Sequence, residues 1–169
     1  MERERVILFI KRAIIIISVF ALQTVFADKM RIFGVSPNFP LALVLVVSFK
    51  NYPSYGLYCA LILGLLTDSV SGRIFGGCTF LFVLIEIIIK NYFTKLFTEG
   101  FIFETLGGLV FNFMFSVLYG IGRWIFVGSF AHIFLEIVLV EFLYNQIVFM
   151  LFLIISKRFK KKRRSMFRV

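Results

Sequence analysis

Charge is scarce in this chain. Asp, Glu, Lys and Arg make up 17% of its 169 residues, and only nine are acidic. There is one histidine and one tryptophan, with two cysteines and three prolines. A single histidine leaves no His-rich metal centre to argue for. Cys59 and Cys78 sit in apolar surroundings without metal-ligand spacing, which favours free core thiols over a disulfide. The constellations that carry chemistry are also missing. There is no Ser-His-Asp set, no phosphate-cradling Gly-rich loop before a lysine, and no paired carboxylates at helical spacing beyond common surface use. The aspartate-rich signatures of membrane phosphotransferases are absent too. The chain reads as a non-enzyme with no cofactor and no metal.

What is present is apolar: 60% of residues are hydrophobic and 18% aromatic, with a mean hydropathy of +0.97. A soluble domain carries about 45–50% apolar residues, and one of this length has too little interior for more. The expected class is an all-α polytopic membrane protein. The net charge of +10 gathers mostly at the two ends of the chain. No basic helix or aromatic platform accompanies it, so it reads as a topology signal and not as a nucleic-acid footprint.

Six apolar segments are expected to span: 13–27 with 6–10 as a lead-in, 32–49, 55–67, 74–89, 103–119 and 130–155. They form one membrane domain, 1–156, followed by a basic cytoplasmic tail, 157–169. With the N-terminus inside, fifteen of the 19 basic residues fall on the cytoplasmic side. Lys29, Arg31, Arg73 and Arg123 remain outside. An even span count keeps both basic ends in the cytoplasm, as the positive-inside rule requires. The tail from Lys157 to Arg168 suits an anionic inner leaflet, where each basic residue is worth about 1 kcal/mol. The start, MERERVILFIKRAIIIISVFALQTVFA, also has the shape of a signal peptide; five further spans make an uncleaved anchor sufficient.

Three places depart from plain spans. Pro37 and Pro40 interrupt the second segment. Proline fits a first helical turn but not a helix interior. A helix beginning at Pro40 covers only half of the hydrocarbon thickness. Residues 34–39 then either extend irregularly against protein or leave a half-helix, unless the bilayer thins around a short span.

The second place is a ladder in steps of four: Gly56, Ala60, Gly64, Asp68, Gly72 and Gly76. Residues four apart share a helix face, and a smooth face of this kind lets another backbone approach closely. Asp68 continues it. Three readings stand for this carboxylate: a cap on the fourth helix or a water-facing end of the third, a pin tying the two together, or a proton or ion site. Its candidate partners are Arg73, the hydroxyls of Ser69 and Ser71, and the free amides that open the next helix.

The third is a scatter of polar residues in apolar segments. Glu86 and Lys90 are spaced for an ion pair. Glu104 opens the fifth helix at the positive end of its dipole. Gly107, Gly108 and Asn112 suggest close packing. His132 and Glu136 share a face, with no third ligand for a metal. Glu141 and Asn145 can face the bundle interior. Tyr119 and Trp124 suit an interfacial aromatic belt.

The run PNFPLALVLVVSFKNYPSYGLYCALILGLLTDSVSGRIFGG, from Pro37 to Gly77, resembles the bacterial rod shape-determining protein MreD family. The family pairs a proline-led second segment with Gly-x7-Gly-x3-Asp-x2-Ser-Gly-x3-Gly, here Gly56, Gly64, Asp68, Ser71, Gly72 and Gly76. The resemblance implies a multi-pass protein of the bacterial inner membrane with both termini cytoplasmic. It implies a fold similar to the six-helix substrate-binding component of energy-coupling factor transporters. It also implies a non-enzymatic scaffold of peptidoglycan elongation and cell shape. The implied partners are a bitopic MreC-like protein and, around it, MreB, RodA and a class B penicillin-binding transpeptidase. In that picture Gly56, Ala60 and Gly64 form internal or partner-facing seams, and Asp68 to Gly76 fix the turn between helices three and four. The alternatives are a vitamin-type carrier using Asp68, Glu141 and Asn145, and a proton-coupled channel or exporter accessory using His132 and Glu136.

Overall fold

In a computed structural model, the described residues are 2–27, 29–32, 34–50, 55–71, 76–93, 100–127 and 131–166. Side chains are described in these segments except at 2, 71, 126–127, 131–137 and 159–166. Among the described residues there is no strand, only one isolated bridge between Ile32 and Val35. The helices are α1 (Glu2–Phe26), α2 (Phe39–Phe49), α3 (Tyr55–Ser71), α4 (Gly77–Ile88), α5 (Phe101–Val127) and α6 (Ala131–Met166). A π-helical turn, Ile89–Phe93, continues α4.

α2 is the axis of the bundle. Its sequence, FPLALVLVVSF, is apolar on every side, and a helix of that kind belongs inside. All eleven of its residues are buried, and it packs against each of the other helices. α3 and α4 form the most intimate pair, and α5 and α6 form a second. α1 is the outlying helix. It leans on α2 and α3, buries Ile16 and Val19, and leaves residues 3–11 exposed.

Among the described residues, three helical stretches are long and apolar enough to cross a membrane: Arg3–Phe26, Phe101–Ile125 and Val138–Arg158. α2 and α3 are apolar but shorter, and α4 has 12 residues. Three of the six expected segments therefore form helices shorter than a full crossing. The second segment is helical only from Phe39, and its eleven residues rise about 16 Å against a hydrocarbon core of about 30 Å. What precedes it is not helix. Gly34, at φ +79°, closes a tight turn in which Ile32 and Val35 exchange two backbone hydrogen bonds of 2.9 Å. Val35 and Pro37 then run buried against protein. The first segment begins as helix at Glu2, well before residue 13, and the last continues through Met166 into the basic tail.

An aromatic cluster closes the end of the bundle near Lys157. Phe49 at the foot of α2 meets Phe93 at 5.3 Å, Phe149 at 6.0 Å and Phe111 at 6.1 Å between ring centroids. The π-helical turn re-aims Phe93 into this group. Gly107 leaves room for the rings of Phe49 and Phe93, and Gly108 for Phe149. At the same end Glu104 pairs with Lys157 at 2.7 Å, and the Arg12 guanidinium lies 4.5 Å from the centroid of the Tyr55 ring.

Candidate functional site

Two helices begin inside the apolar bundle, and the polar residues gather around their first turns. The first four N–H groups of a helix have no partner within it, so a buried start must find acceptors elsewhere. In hydrocarbon, with no water to serve, this requirement is strict.

For α4 the acceptor is Asp68. It stands on the last turn of α3 and is 2% exposed. Its Oδ1 accepts from the Cys78 amide at 2.9 Å. Its Oδ2 accepts from the Thr79 amide at 2.9 Å and from the Thr79 hydroxyl at 2.6 Å. The carboxylate therefore meets the positive end of the α4 dipole, where a negative charge is stabilised. The residue at the cap position itself is Gly76, at φ +87° with no side chain to offer. That left-handed conformation costs a glycine little. Capping and pinning, separate alternatives from sequence, are here one arrangement: the cap of α4 is supplied by α3.

Gly64 makes it reachable. A Cβ built at Gly64 would lie 2.5 Å from the Thr79 Cα, so α3 and α4 touch backbone to backbone one turn before Asp68 meets the same threonine. Ala60 is fully buried on that face, and Gly56 lies against the carboxylate of Glu86, itself 3% exposed. The small-residue face of α3 is thus turned inward onto α4. The Ser69 hydroxyl donates to the Leu65 carbonyl at 2.8 Å and does not serve Asp68. Gly72 and Arg73 lie outside the described residues, as does the side chain of Ser71.

For α2 the acceptors are amides. The Asn38 side chain accepts from the Leu41 N–H at 3.0 Å, a side-chain cap on its own helix. The Phe39 N–H donates to Gln23 Oε1 of α1 at 2.9 Å. The Asn38 N–H donates to Asn145 Oδ1 of α6 at 3.0 Å. Pro40 has no N–H to satisfy and sits where proline is tolerated, in the first turn. Every orphan donor at this helix start is matched, by Asn38 at the cap, Gln23 of α1 and Asn145 of α6. Asn145 is twelve residues from Lys157, about 18 Å along α6, which places the start of α2 within the depth of a bilayer.

The same layer holds more polarity. On α5, Asn112 is fully buried and donates to Gln146 Oε1 at 2.7 Å; Ser116 follows one turn on, also fully buried. Glu141 is 8% exposed one turn from Asn145. Tyr119 stacks on Phe115 with centroids 5.4 Å apart and stands beside the Cys78 thiol. Tyr119 is half-buried, and Trp124 is exposed. Cys59 and Cys78 are free and buried. Glu104 opens α5 as expected, and its partner is Lys157 of α6. The side chains of His132 and Glu136 lie outside the described residues. Among the described residues, no group of three His, Cys, Asp or Glu could hold a metal ion.

Sequence reasoning passed over Gln23, Thr79, Ser116 and Gln146. Gln23 carried a usable signal, a polar amide inside an apolar span. Asn38 did too, since Asn two residues before proline marks a helix start. Thr79 and Gln146 carried none.

A proline-led half-helix at the axis and an aspartate-capped turn after a glycine face together form the run Pro37 to Gly77. The family model described as rod shape-determining protein MreD matches residues 5–162, nearly the whole chain. The chain belongs to the MreD family. Its role therefore lies in rod shape determination, and it is a membrane protein. Searches among curated proteins and solved structures return no match.

Proposed function

We propose that this MreD-family protein is a non-enzymatic scaffold of peptidoglycan elongation, docking a bitopic MreC-like protein within the bacterial inner membrane. MreB, RodA and a class B penicillin-binding transpeptidase complete the assembly in this reading. Both termini face the cytoplasm, and the basic residues from Lys157 onward hold anionic lipid. The bundle is similar to the six-helix component of energy-coupling factor transporters. The observation that carries the reading is the family match across residues 5–162.

The physical support is the division of labour among the helices. Pro37, Pro40, Gly56, Ala60, Gly64, Asp68 and Gly76 serve internal packing: they hold α2, α3 and α4 in one arrangement. The outer faces of α1, α3, α5 and α6 then stay free to meet lipid or a partner helix, with Ile17, Tyr58, Val110 and Ile147 among the exposed residues. Helices in lipid associate by close packing, since hydrocarbon gives no hydrophobic drive between them. A rigid bundle with defined faces is what such docking needs.

The carrier alternative requires Asp68, Glu141 and Asn145 to converge on a ligand. Asp68 is engaged by the α4 amides, which weakens that reading.

Cross-linking in native membranes followed by affinity purification tests the proposal. A single-span, MreC-like protein should come with the chain. Recovery of a cytosolic ATPase module, or of a small molecule bound in stoichiometric amount, would replace this reading with the carrier.

A further inference from the structure

Three polar atoms in the layer around the start of α2 have no hydrogen-bond partner: Asn112 Oδ1, Ser116 Oγ and Asn145 Nδ2. Their residues are 0%, 0% and 1% exposed. They stand on α5 and α6, which pack together. Asn145 accepts the Asn38 N–H through its other side-chain atom, so its free nitrogen lies at the first turn of α2. Asn112 holds Gln146, the residue next to Asn145. Ser116 lies one turn along the same buried face of α5 as Asn112.

The chemistry of the three atoms selects the ligand. One is an acceptor, one is a donor, and the hydroxyl is both. A metal ion wants acceptors only and an anion wants donors only. A mixed set buried this deeply matches a neutral molecule that donates and accepts at once and is small enough for a closed interior. Buried water does this, and it makes about three hydrogen bonds to buried polar groups that are otherwise unsatisfied.

We infer that the interface of α2, α5 and α6 is an internal water site, with Asn112, Ser116 and Asn145 as its ligands. Water there joins α5 to α6 beside the start of α2 and satisfies side-chain atoms that no protein group reaches. It also places a polar, exchangeable medium one turn from Glu141. The inference is independent of which partner the outer faces bind.

The test is water-edited solid-state NMR on the isotopically labelled, full-length protein in phospholipid bilayers. Magnetisation from water should reach the side-chain amides of Asn112 and Asn145 nearly as fast as it reaches exposed Asn91. It should reach the backbone of Leu45, in the dry part of α2, far more slowly. A build-up at both asparagines as slow as at Leu45 overturns the site. The variant Ser116→Ala gives a second, independent reading. It removes a ligand of the water, so the melting temperature should fall by a few degrees. A rise would mean that the hydroxyl is simply unpaired, and the site would be withdrawn.

Discussion

α2 and α4 both begin inside the bundle, and they meet the same need with different chemistry. α4 receives a charge: one carboxylate on the adjacent helix takes two amides and a hydroxyl. α2 receives neutral amides from α1, from α6 and from its own cap. Charge-assisted hydrogen bonds are about twice as strong as neutral ones, but the charge must be fully engaged to be tolerated at this depth. Asp68 needs a touching neighbour, and Gly64 provides it. The amide solution tolerates looser spacing and reaches farther, drawing together residues 107 positions apart. The first device fixes a pair of helices, and the second fixes the axis of the whole bundle.

The sharpest way to break the contrast is Gly64→Leu. Its first side-chain carbon would collide with the backbone of Thr79, which cannot rotate away. We expect a loss of about 3 kcal/mol or more from overpacking, read as loss of monodisperse, folded protein after detergent extraction. Next comes Asp68→Ala, which strands the Cys78 and Thr79 amides. A buried unsatisfied group costs about 1–3 kcal/mol, so a loss of about 3 kcal/mol is expected in thermal melts, and Asp68→Asn, which keeps one acceptor, should lose about half as much. On the amide side, Gln23→Leu and Asn145→Leu each strand one backbone N–H of α2. Each should cost about 1–2 kcal/mol, and the charged site should prove the more sensitive of the two. The smallest effect belongs to Lys157→Gln. The Lys157–Glu104 pair is partly open to solvent, where such bridges are worth about 0–1 kcal/mol. The melting temperature should barely move.

The same contrast explains how much could be read before folding. The α3 face was legible because a helix repeats, so steps of four from Gly56 to Asp68 fall on one side. The free amides of α4 were among the candidates for Asp68, because the two lie only 10 and 11 residues apart. The half-helix was legible in part, since Pro40 cannot sit deep in a helix. The amides that receive it were not. Gln23 and Asn145 come from opposite ends of the chain, and nothing in periodicity or spacing links them to Asn38. The irregular stretch before α2 was one of the expected alternatives. Hydropathy counts apolar residues whether or not they are helical, so the second segment, 32–49, also took in Gly34, Val35 and Pro37, which precede the helix.

The central claim is that a bundle locked from within is what rod shape requires of this chain. The most direct measurement is the length-to-width ratio of a rod-shaped host depleted of its own MreD-family protein. It would carry this chain as wild type, Asp68→Asn or Asp68→Ala, with membrane levels matched by immunoblot. We predict rods with the wild type, shortened rods with Asp68→Asn and round cells with Asp68→Ala. Full rods with Asp68→Ala at matched level would contradict the account.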